Sequence, residues 1–197
     1  MELKYKPQGS YLTNCYIVKT NEGEIIIDPG VGAFEWVQKE VKKPLAILNT
    51  HGHFDHVWSN QILKTHYNIP IYCPKDDVFM LKSDPYHLGM EPSCADVEVN
   101  GDESFKIGGE EVKFWHFPGH TPGCSAIEIG SMFFSGDFVF ADSIGRTDFP
   151  FSSPEDMKKS LLKFLKIEKD MPLYPGHGFP STIAKEQYSV PRWIKIL

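Results

Sequence analysis

The stretch Thr50-His51-Gly52-His53-Phe54-Asp55-His56 decides the fold of this chain. It follows the apolar run at residues 45–48, which is bounded by Pro44 and is predicted to be a buried strand. A helical period extends over residues 57–67, and Ile71-Tyr72-Cys73 then forms a further strand. The order of strand, loop, helix and strand predicts a βαβ unit within a layered α/β fold.

The segments on either side of this unit extend the prediction to the whole chain. Apolar alternation at residues 12–18 and the run at 25–27 flank a turn, which indicates a hairpin. Residues 96–140 consist of short strands separated by glycine-containing turns. An amphipathic helix covers 157–165, and a closing helix is expected to be interrupted near Pro191. We therefore expect one domain, residues 1–197, with two packed sheets and helices outside.

The composition excludes several classes of protein. The 197 residues are 41% hydrophobic and carry a net charge of −6 without a Lys/Arg cluster, which argues against a nucleic-acid partner. The apolar runs are too short to span a membrane, and the first residues contain no apolar signal core. The four cysteines are far apart and form no C-x-x-C pair, so reduced thiols are expected. These features predict a cytoplasmic protein with no membrane partner.

The histidine-rich stretch has the composition of a metal site. His51 and His53 are two residues apart, so their rings point to the same side of an extended segment. Asp55 and His56 follow where the chain enters the helix, which gives four candidate ligands in six residues. Imidazole and carboxylate ligands suit zinc, iron or manganese.

Three more candidate ligands stand next to glycine at predicted strand ends. They are His120 in Gly119-His120-Thr121, Asp137 in Gly136-Asp137 and His177 in Gly176-His177-Gly178. Glycine allows the backbone to approach a site closely or to adopt a positive φ. Together with the first stretch, these positions predict one composite metal centre.

The order H-x-H-x-D-H, G-H-T-P-G, G-D and G-H-G resembles the metallo-β-lactamase superfamily, and within it the glyoxalase II-type (hydroxyacylglutathione hydrolase-like) proteins. The resemblance implies an α/β fold of four layers, an αβ/βα sandwich of two mixed β-sheets flanked by helices. It also implies two divalent metal ions, with zinc as the expected metal and iron or manganese as alternatives. The helical region that binds glutathione in typical glyoxalase II enzymes has no counterpart after His177. The implied ligands are His51, His53 and His120 for one ion, Asp55, His56 and His177 for the other, and Asp137 between them.

The resemblance implies a hydrolase whose catalytic carboxylates are Asp55 and Asp137. Two divalent ions, these two carboxylates and a bridging hydroxide leave the site with a net charge of about +1, which suits a small anionic thioester. A thiolate leaves readily near neutral pH, so a separate general acid is not required. True β-lactamases do not typically have a bridging aspartate, and His56 stands where several of their subclasses have a non-ligand. The superfamily name therefore does not imply antibiotic hydrolysis here.

Two alternatives stay open at this point. A persulfide dioxygenase would use one iron held by His51, His53 and His120, and a lactonase would use the two-metal site on another ester. Arg146, in the segment Ser143-Ile144-Gly145-Arg146-Thr147-Asp148, is a candidate for binding substrate carboxylates, or it pairs locally with Asp148. The sequence leaves the metal, the acyl and thiol parts of the substrate and the oligomeric state open.

Overall fold

The histidine-rich loop, residues 50–56, follows a strand of the first of two six-stranded sheets. The structure is a computed structural model, and it describes residues 1–85 and 87–197. In spatial order the strands are β1 (Glu2–Gln8), β2 (Thr13–Lys19), β3 (Glu24–Ile27), β4 (Pro44–Leu48), β5 (Ile71–Pro74) and β6 (Val97–Val99). β1, β2 and β3 are antiparallel, whereas β3, β4, β5 and β6 are parallel. Parallel neighbours end at the same sheet edge, so the loops after β3 and β4 lie side by side.

The remaining candidate ligands, His120, Asp137 and His177, lie in loops that follow strands of the second sheet. In spatial order its strands are β14 (Ser181–Thr182), β13 (Pro172–Pro175), β10 (Met132–Gly136), β9 (Ser125–Ile129), β8 (Glu110–His116) and β7 (Glu103–Ile107). The β10–β13 pair is parallel and the other pairs are antiparallel. A small hairpin of β11 (Val139–Phe140) and β12 (Ser143–Ile144) follows β10.

Six helices connect or cover the sheets within the described residues. They are α1 (Ala33–Glu40), α2 (Phe54–Val57), α3 (Asn60–Tyr67), α4 (Val78–Ser83), α5 (Pro154–Phe164) and α6 (Ile183–Ile196), and a 3-10 turn, Lys75–Asp77, precedes α4. Along residues 1–85 and 87–197, every helix is too short or too polar to cross a bilayer.

The core follows from the two-residue alternation of the strands. Ile25 and Ile27 face the second sheet and pack with Phe114 and Phe134, while Ile26 faces the opposite side. All five side chains are fully buried, and burying a side chain of this size contributes about 1.5–3 kcal/mol. Side chains therefore fill the space between the sheets, and the site lies at its edge.

Each sheet has helices on its outer face. Val37 of α1 and Leu63 of α3 pack with Ile26 on the first sheet. Met157 and Leu161 of α5 pack on the second sheet together with Val190 of α6. The layers are thus helices, sheet, sheet and helices, which confirms the predicted four-layer αβ/βα sandwich.

Two helix predictions need correction. The helix expected at 57–67 begins only at Asn60, as α3, and Val57 is the last residue of the separate helix α2. The break lies at Ser59, whose N–H donates to Pro29 O and whose hydroxyl donates to Gly30 O. The prediction of an interruption near Pro191 is wrong, since α6 continues through this proline. Buried Val190 and the partly buried Trp193 hold α6 against the core on both sides of the proline, so packing outweighs one missing hydrogen bond.

Candidate metal centre

The first sheet supplies four candidate ligands from the loop after β4. Because β3 and β4 are parallel neighbours, Asp28 after β3 lies beside Thr50 after β4. The Asp28 carboxylate accepts hydrogen bonds from the Thr50 N–H (2.8 Å) and hydroxyl (2.6 Å). Its Oδ2 lies 3.0 Å from Nδ1 of the fully buried His56. Asp28 thereby orients His56 so that Nε2 faces the site.

The second sheet brings Asp137 and His177 together by the same principle. They follow β10 and β13, which are parallel neighbours, and the N–H of Gly176 donates to Gly136 O at 2.8 Å. Asp137 has only 7% of its surface exposed and faces the loop of the first sheet. The two strand ends thus place a carboxylate and an imidazole next to each other.

Backbone carbonyls orient His120 and His177, the two candidate imidazole ligands from loops of the second sheet. Nδ1 of His120, in the turn between β8 and β9, lies 2.8 Å from Arg146 O. Nδ1 of His177 lies 3.0 Å from Tyr11 O. A carbonyl accepts only from a protonated nitrogen, so each ring carries a proton on Nδ1, and Nε2 is the nitrogen that faces the other candidate ligands.

One set of ligands consists of His51, His53 and His120. One nitrogen from each lies within 4.8 Å of the others. The ring centroids are 4.6–5.1 Å apart and the rings meet edge to face. Three converging imidazoles with this spacing could hold one metal ion.

The other set consists of Asp55, His56 and His177, again with one ligand atom each within 4.8 Å. Asp55 Oδ2 lies 3.3 Å from His177 Nε2 and 3.6 Å from His56 Nε2. The Thr13 hydroxyl donates to Asp55 Oδ2 at 2.7 Å and fixes that carboxylate. This hydroxyl from β2 was not singled out by the sequence, because nothing near Thr13 marks it as part of a site.

Asp137 lies between the two sets. Its Oδ1 is 3.3 Å from His56 Nε2, and its Oδ2 is 3.5 Å from His120 Nε2 and 3.4 Å from His177 Nε2. The carboxylate thus faces a nitrogen from each half. The structure therefore brings together all seven ligands that the sequence singled out.

The site fits divalent ions, because several of its buried polar atoms lack a hydrogen-bond partner within the protein. His51 Nε2, His120 Nε2 and Asp137 Oδ1 are buried and lack a well-aligned hydrogen bond, although Oδ1 lies close to His56. Buried polar atoms normally have a partner, and a bound ion would supply one. Asp28 also lies within ligand distance of His51 and His56, but its oxygens already contact Thr50 and His56, so it supports the ligands.

Comparison with known proteins decides the family. The model of the "Metallo-beta-lactamase superfamily" matches residues 9–177, which include every candidate ligand. The chain belongs to the metallo-beta-lactamase superfamily. Members of this superfamily are generally metal-dependent hydrolases, and the two sets of side chains could each hold a divalent ion in this chain.

Relatives within the metallo-beta-lactamase superfamily cover nearly the whole chain. "Hydroxyacylglutathione hydrolase GloC" of Haemophilus influenzae is 32% identical over 97% of each chain. The crystal structure of the BLEG-1 B3 metallo-beta-lactamase is 30% identical, covers 98% of this chain and 99% of its own, and has a TM-score of 0.87. TTHA1623, solved in a di-iron-bound form, is 30% identical, covers 96% and 99%, and has a TM-score of 0.80.

The two halves of this metallo-beta-lactamase centre differ in their protonation. Burial lowers the pKa of His51 and lowers that of His53 to about 3, so both rings are neutral and can bind an ion. Burial would also lower the pKa of His177, but hydrogen bonds to Asp137 and Asp55 raise it to about 9. For His56 the nearby carboxylates likewise outweigh burial and raise the pKa. Without metal, protons on His56 and His177 therefore balance the carboxylates.

Metal binding is expected to release these protons. A ligating imidazole must give up the proton on its ligating nitrogen, so about two protons should leave per chain at pH 7.5 when zinc binds. Titration calorimetry of chelator-stripped protein with zinc, in two buffers of different ionisation enthalpy, measures this number. H177A should release about one proton fewer. A binding heat that is the same in both buffers would contradict the assignment.

Asp28 is expected to determine the affinity of the half that contains His56. Replacing Asp28 by alanine removes the partner of His56 Nδ1, and loss of such a supporting group costs about 10–100-fold in metal affinity. Competition with a chelator measures the affinity for each ion. The matched variant D76A, an acid on the 3-10 turn, should bind both ions as the parent protein does. Equal affinities in D28A and the parent would show that Asp28 does not orient His56.

Asp77 joins the two ligand-bearing segments, although the sequence did not indicate it. Its buried carboxylate accepts hydrogen bonds from the Gly52 N–H (2.9 Å), the Thr121 hydroxyl (2.6 Å) and the Gly123 N–H (2.6 Å). A Cβ on Gly52 would lie 2.8 Å from Asp77 O, and one on Gly123 would lie 2.8 Å from Asp77 Cγ. Both glycines are therefore needed for this close approach. Burial raises the pKa of Asp77 to about 6.

Arg146 lines the cleft in front of the candidate centre, but its guanidinium is already engaged. Nε and Nη2 donate to the two oxygens of Asp148 at 2.8 and 2.7 Å. The guanidinium carbon also lies 4.2 Å from the centre of the Phe149 ring. The local pairing with Asp148, which the sequence offered as the alternative, is therefore present. In addition, the backbone carbonyl of Arg146 orients His120.

Proposed function

We propose that this protein hydrolyses small thioesters at a two-metal centre. Zinc is the expected metal, with iron or manganese as alternatives. The observation that carries the proposal is the position of Asp137, whose oxygens face His120 on one side and His56 and His177 on the other. A carboxylate in that position suits two neighbouring ions better than one.

The proposed reaction assigns roles to the carboxylates. Bound divalent ions would supply Lewis acidity and lower the pKa of water enough to make a nucleophile near neutral pH. Asp137 would help to hold both ions, because its two oxygens face His56, His120 and His177. Asp55 stays anionic, because His56 and His177 outweigh burial and lower its pKa to about 2. The thiolate that leaves requires little protonation, since thiols ionise around pH 8.5.

The relatives support a thioesterase with two ions. The name of the Haemophilus influenzae relative is that of a thioester hydrolase, and TTHA1623 was solved with two irons. A persulfide dioxygenase would use only the His51, His53 and His120 set. It would leave the second set, with its support from Thr13 and Asp28, without a role.

Elemental analysis combined with a substrate panel tests the proposal. We expect about two ions per chain and hydrolysis of S-lactoylglutathione or of N-acetylcysteamine thioesters. Homoserine lactone, nitrocefin, and glutathione persulfide with oxygen represent the competing reactions. One iron per chain with oxygen uptake on the persulfide would overturn the proposal.

A pair of histidine variants adds a matched control. H120A should lose an ion and thioester hydrolysis, because it removes a ligand of the first set. H66A removes an exposed imidazole that packs against Phe34 and Tyr67, and it should retain both the ions and the activity. Equal activity in the two variants would exclude His120 from the centre.

A further inference from the structure

The cleft in front of the metal centre is walled mainly by apolar rings. It has a volume of about 680 Å³ and leads down to Asp55, Asp137 and His177. The volume exceeds what a two-carbon acyl group with a short thiol would fill, and it is within the range of small-molecule sites. The apolar lining residues are Tyr11, Phe54, Phe140, Ile144, Phe149 and Pro150.

The apolar wall reaches the ligands themselves. The ring of Phe149 lies 5.9 Å from that of His53 and 6.0 Å from that of His120, edge to face in both pairs. Across the cleft, Tyr11 packs edge to face on Phe54 with ring centres 5.0 Å apart. A group attached to a carbonyl at the centre would therefore contact rings immediately.

The rings of this wall keep surface that a ligand can cover. Tyr11 is 55% exposed and Phe149 is 37% exposed, so each would lose water contact when an apolar group enters. Covering apolar surface is favourable by roughly 25 cal/mol per Å². Exposed aromatic rings beside a catalytic centre thus indicate an apolar ligand.

The charges in the cleft do not suit glutathione. Among the described lining residues outside the ligand sets, Arg146 carries the positive charge, and it is held in a bidentate pair by Asp148. Glutathione has two carboxylates, and the charge of Arg146 that could attract them is already offset by Asp148. The developing negative charge on the carbonyl oxygen of a neutral thioester already meets the positive charge expected at the centre.

We infer that the cleft binds the apolar acyl group of an uncharged thioester, of medium alkyl or aryl size, in preference to a glutathione thioester. This inference rests on the proposed thioester hydrolysis and names its substrate class. In the reaction, water adds its oxygen to the carbonyl carbon and the C–S bond breaks. The products are a carboxylic acid and a thiol, with the second proton of the water ending on sulfur.

Turnover of a matched series tests the inference. Hexanoyl-N-acetylcysteamine and acetyl-N-acetylcysteamine differ only in four methylenes, and the hexanoyl compound should have a kcat/KM at least about 10-fold higher. S-lactoylglutathione should be the poorer substrate. Equal values for the two acyl compounds, or a preference for S-lactoylglutathione that is lost in R146Q, would overturn the inference.

Variants of the wall locate the effect. F149A and Y11A should raise KM for the hexanoyl compound and bring the hexanoyl-to-acetyl ratio of kcat/KM down by about three- to tenfold. Y11A keeps the backbone carbonyl that orients His177. Y188A truncates a tyrosine that is 92% exposed on α6 and should leave the ratio unchanged. An unchanged ratio in both wall variants would contradict the inference.

Binding without hydrolysis separates this inference from the proposed function. S-hexyl-N-acetylcysteamine and S-methyl-N-acetylcysteamine are thioethers that cannot be hydrolysed, and calorimetry on the metal-loaded protein compares their affinities. Binding of the hexyl compound at least about 10-fold tighter supports the apolar site even if no thioester is turned over, in which case the proposed function alone fails. Equal affinities, with thioesters still hydrolysed, would overturn the apolar site alone.

Discussion

Replacement of Asp137 by alanine is expected to lower thioester hydrolysis by at least about 1,000-fold and to leave fewer than two ions per chain. The reason is that both oxygens of Asp137 lie within 3.3–3.5 Å of imidazoles from the two ligand sets. Removing the carboxylate also removes a negative charge that would offset the charge of two adjacent dications. Steady-state kinetics and elemental analysis of the purified variant measure both effects.

D142N provides the control for this variant. Asp142 lies in the hairpin after β10, its side chain is 70% exposed, and its positive φ of 58° suits asparagine. The D142N variant should keep the metal content and the turnover of the parent protein. Thermal unfolding of metal-loaded D137A shows whether the chain still folds. A folded D137A with two ions and parental turnover would reject Asp137 as the residue between the ions.

Replacement of Gly176 by alanine is expected to remove the second ion and to lower activity by at least about 100-fold. A Cβ at this position would lie 2.1 Å from Asp137 Oδ1 and 2.6 Å from His56 Cε1. The backbone cannot easily retreat, because the Gly176 N–H donates to Gly136 O and its carbonyl accepts from Asn14 N–H at 2.7 Å. The two ligand side chains must therefore move apart.

A substitution at the nearby Gly178 distinguishes crowding of the metal centre from a general disturbance of the loop. Gly178 has a φ of 77°, and a Cβ there would meet nothing within 4 Å, so G178N should retain both ions. Overpacking of this kind costs about 1–3 kcal/mol, and G176A should show a lower unfolding midpoint as well. Full metal content and activity in G176A would contradict the close approach.

Much of the fold and of the centre was predictable because the signals are local. The fold class and the family resemblance are confirmed, since periodicity and glycine-bounded strand ends are visible in short windows. Residues after neighbouring parallel strands must meet, which brings Asp137 and His177 together. The ligand roles of the seven residues stay predictions, and the variants above test them.

The supporting residues could not be predicted because their partners are distant in sequence. Asp28 contacts residues 22 and 28 positions away, and Asp77 contacts residues 25 to 46 positions away. Nothing in a local window distinguishes a buried carboxylate that orients a loop from an acid that ends a strand. Pro191 shows the opposite failure, since a strong local rule was outweighed by the packing of Val190 and Trp193.

The contacts of Asp77 have a consequence for biosynthesis. The N-terminal part of the chain, up to this residue, already contains His51, His53, Asp55 and His56. The partners Thr121 and Gly123 are translated more than 40 residues later, and Asp137 and His177 later still. A chain synthesised only as far as Asp77 lacks two of the three hydrogen-bond partners of this carboxylate, so the buried environment of Asp77 requires residues of the later segment. The full set of candidate ligands therefore exists only after His177 has been translated.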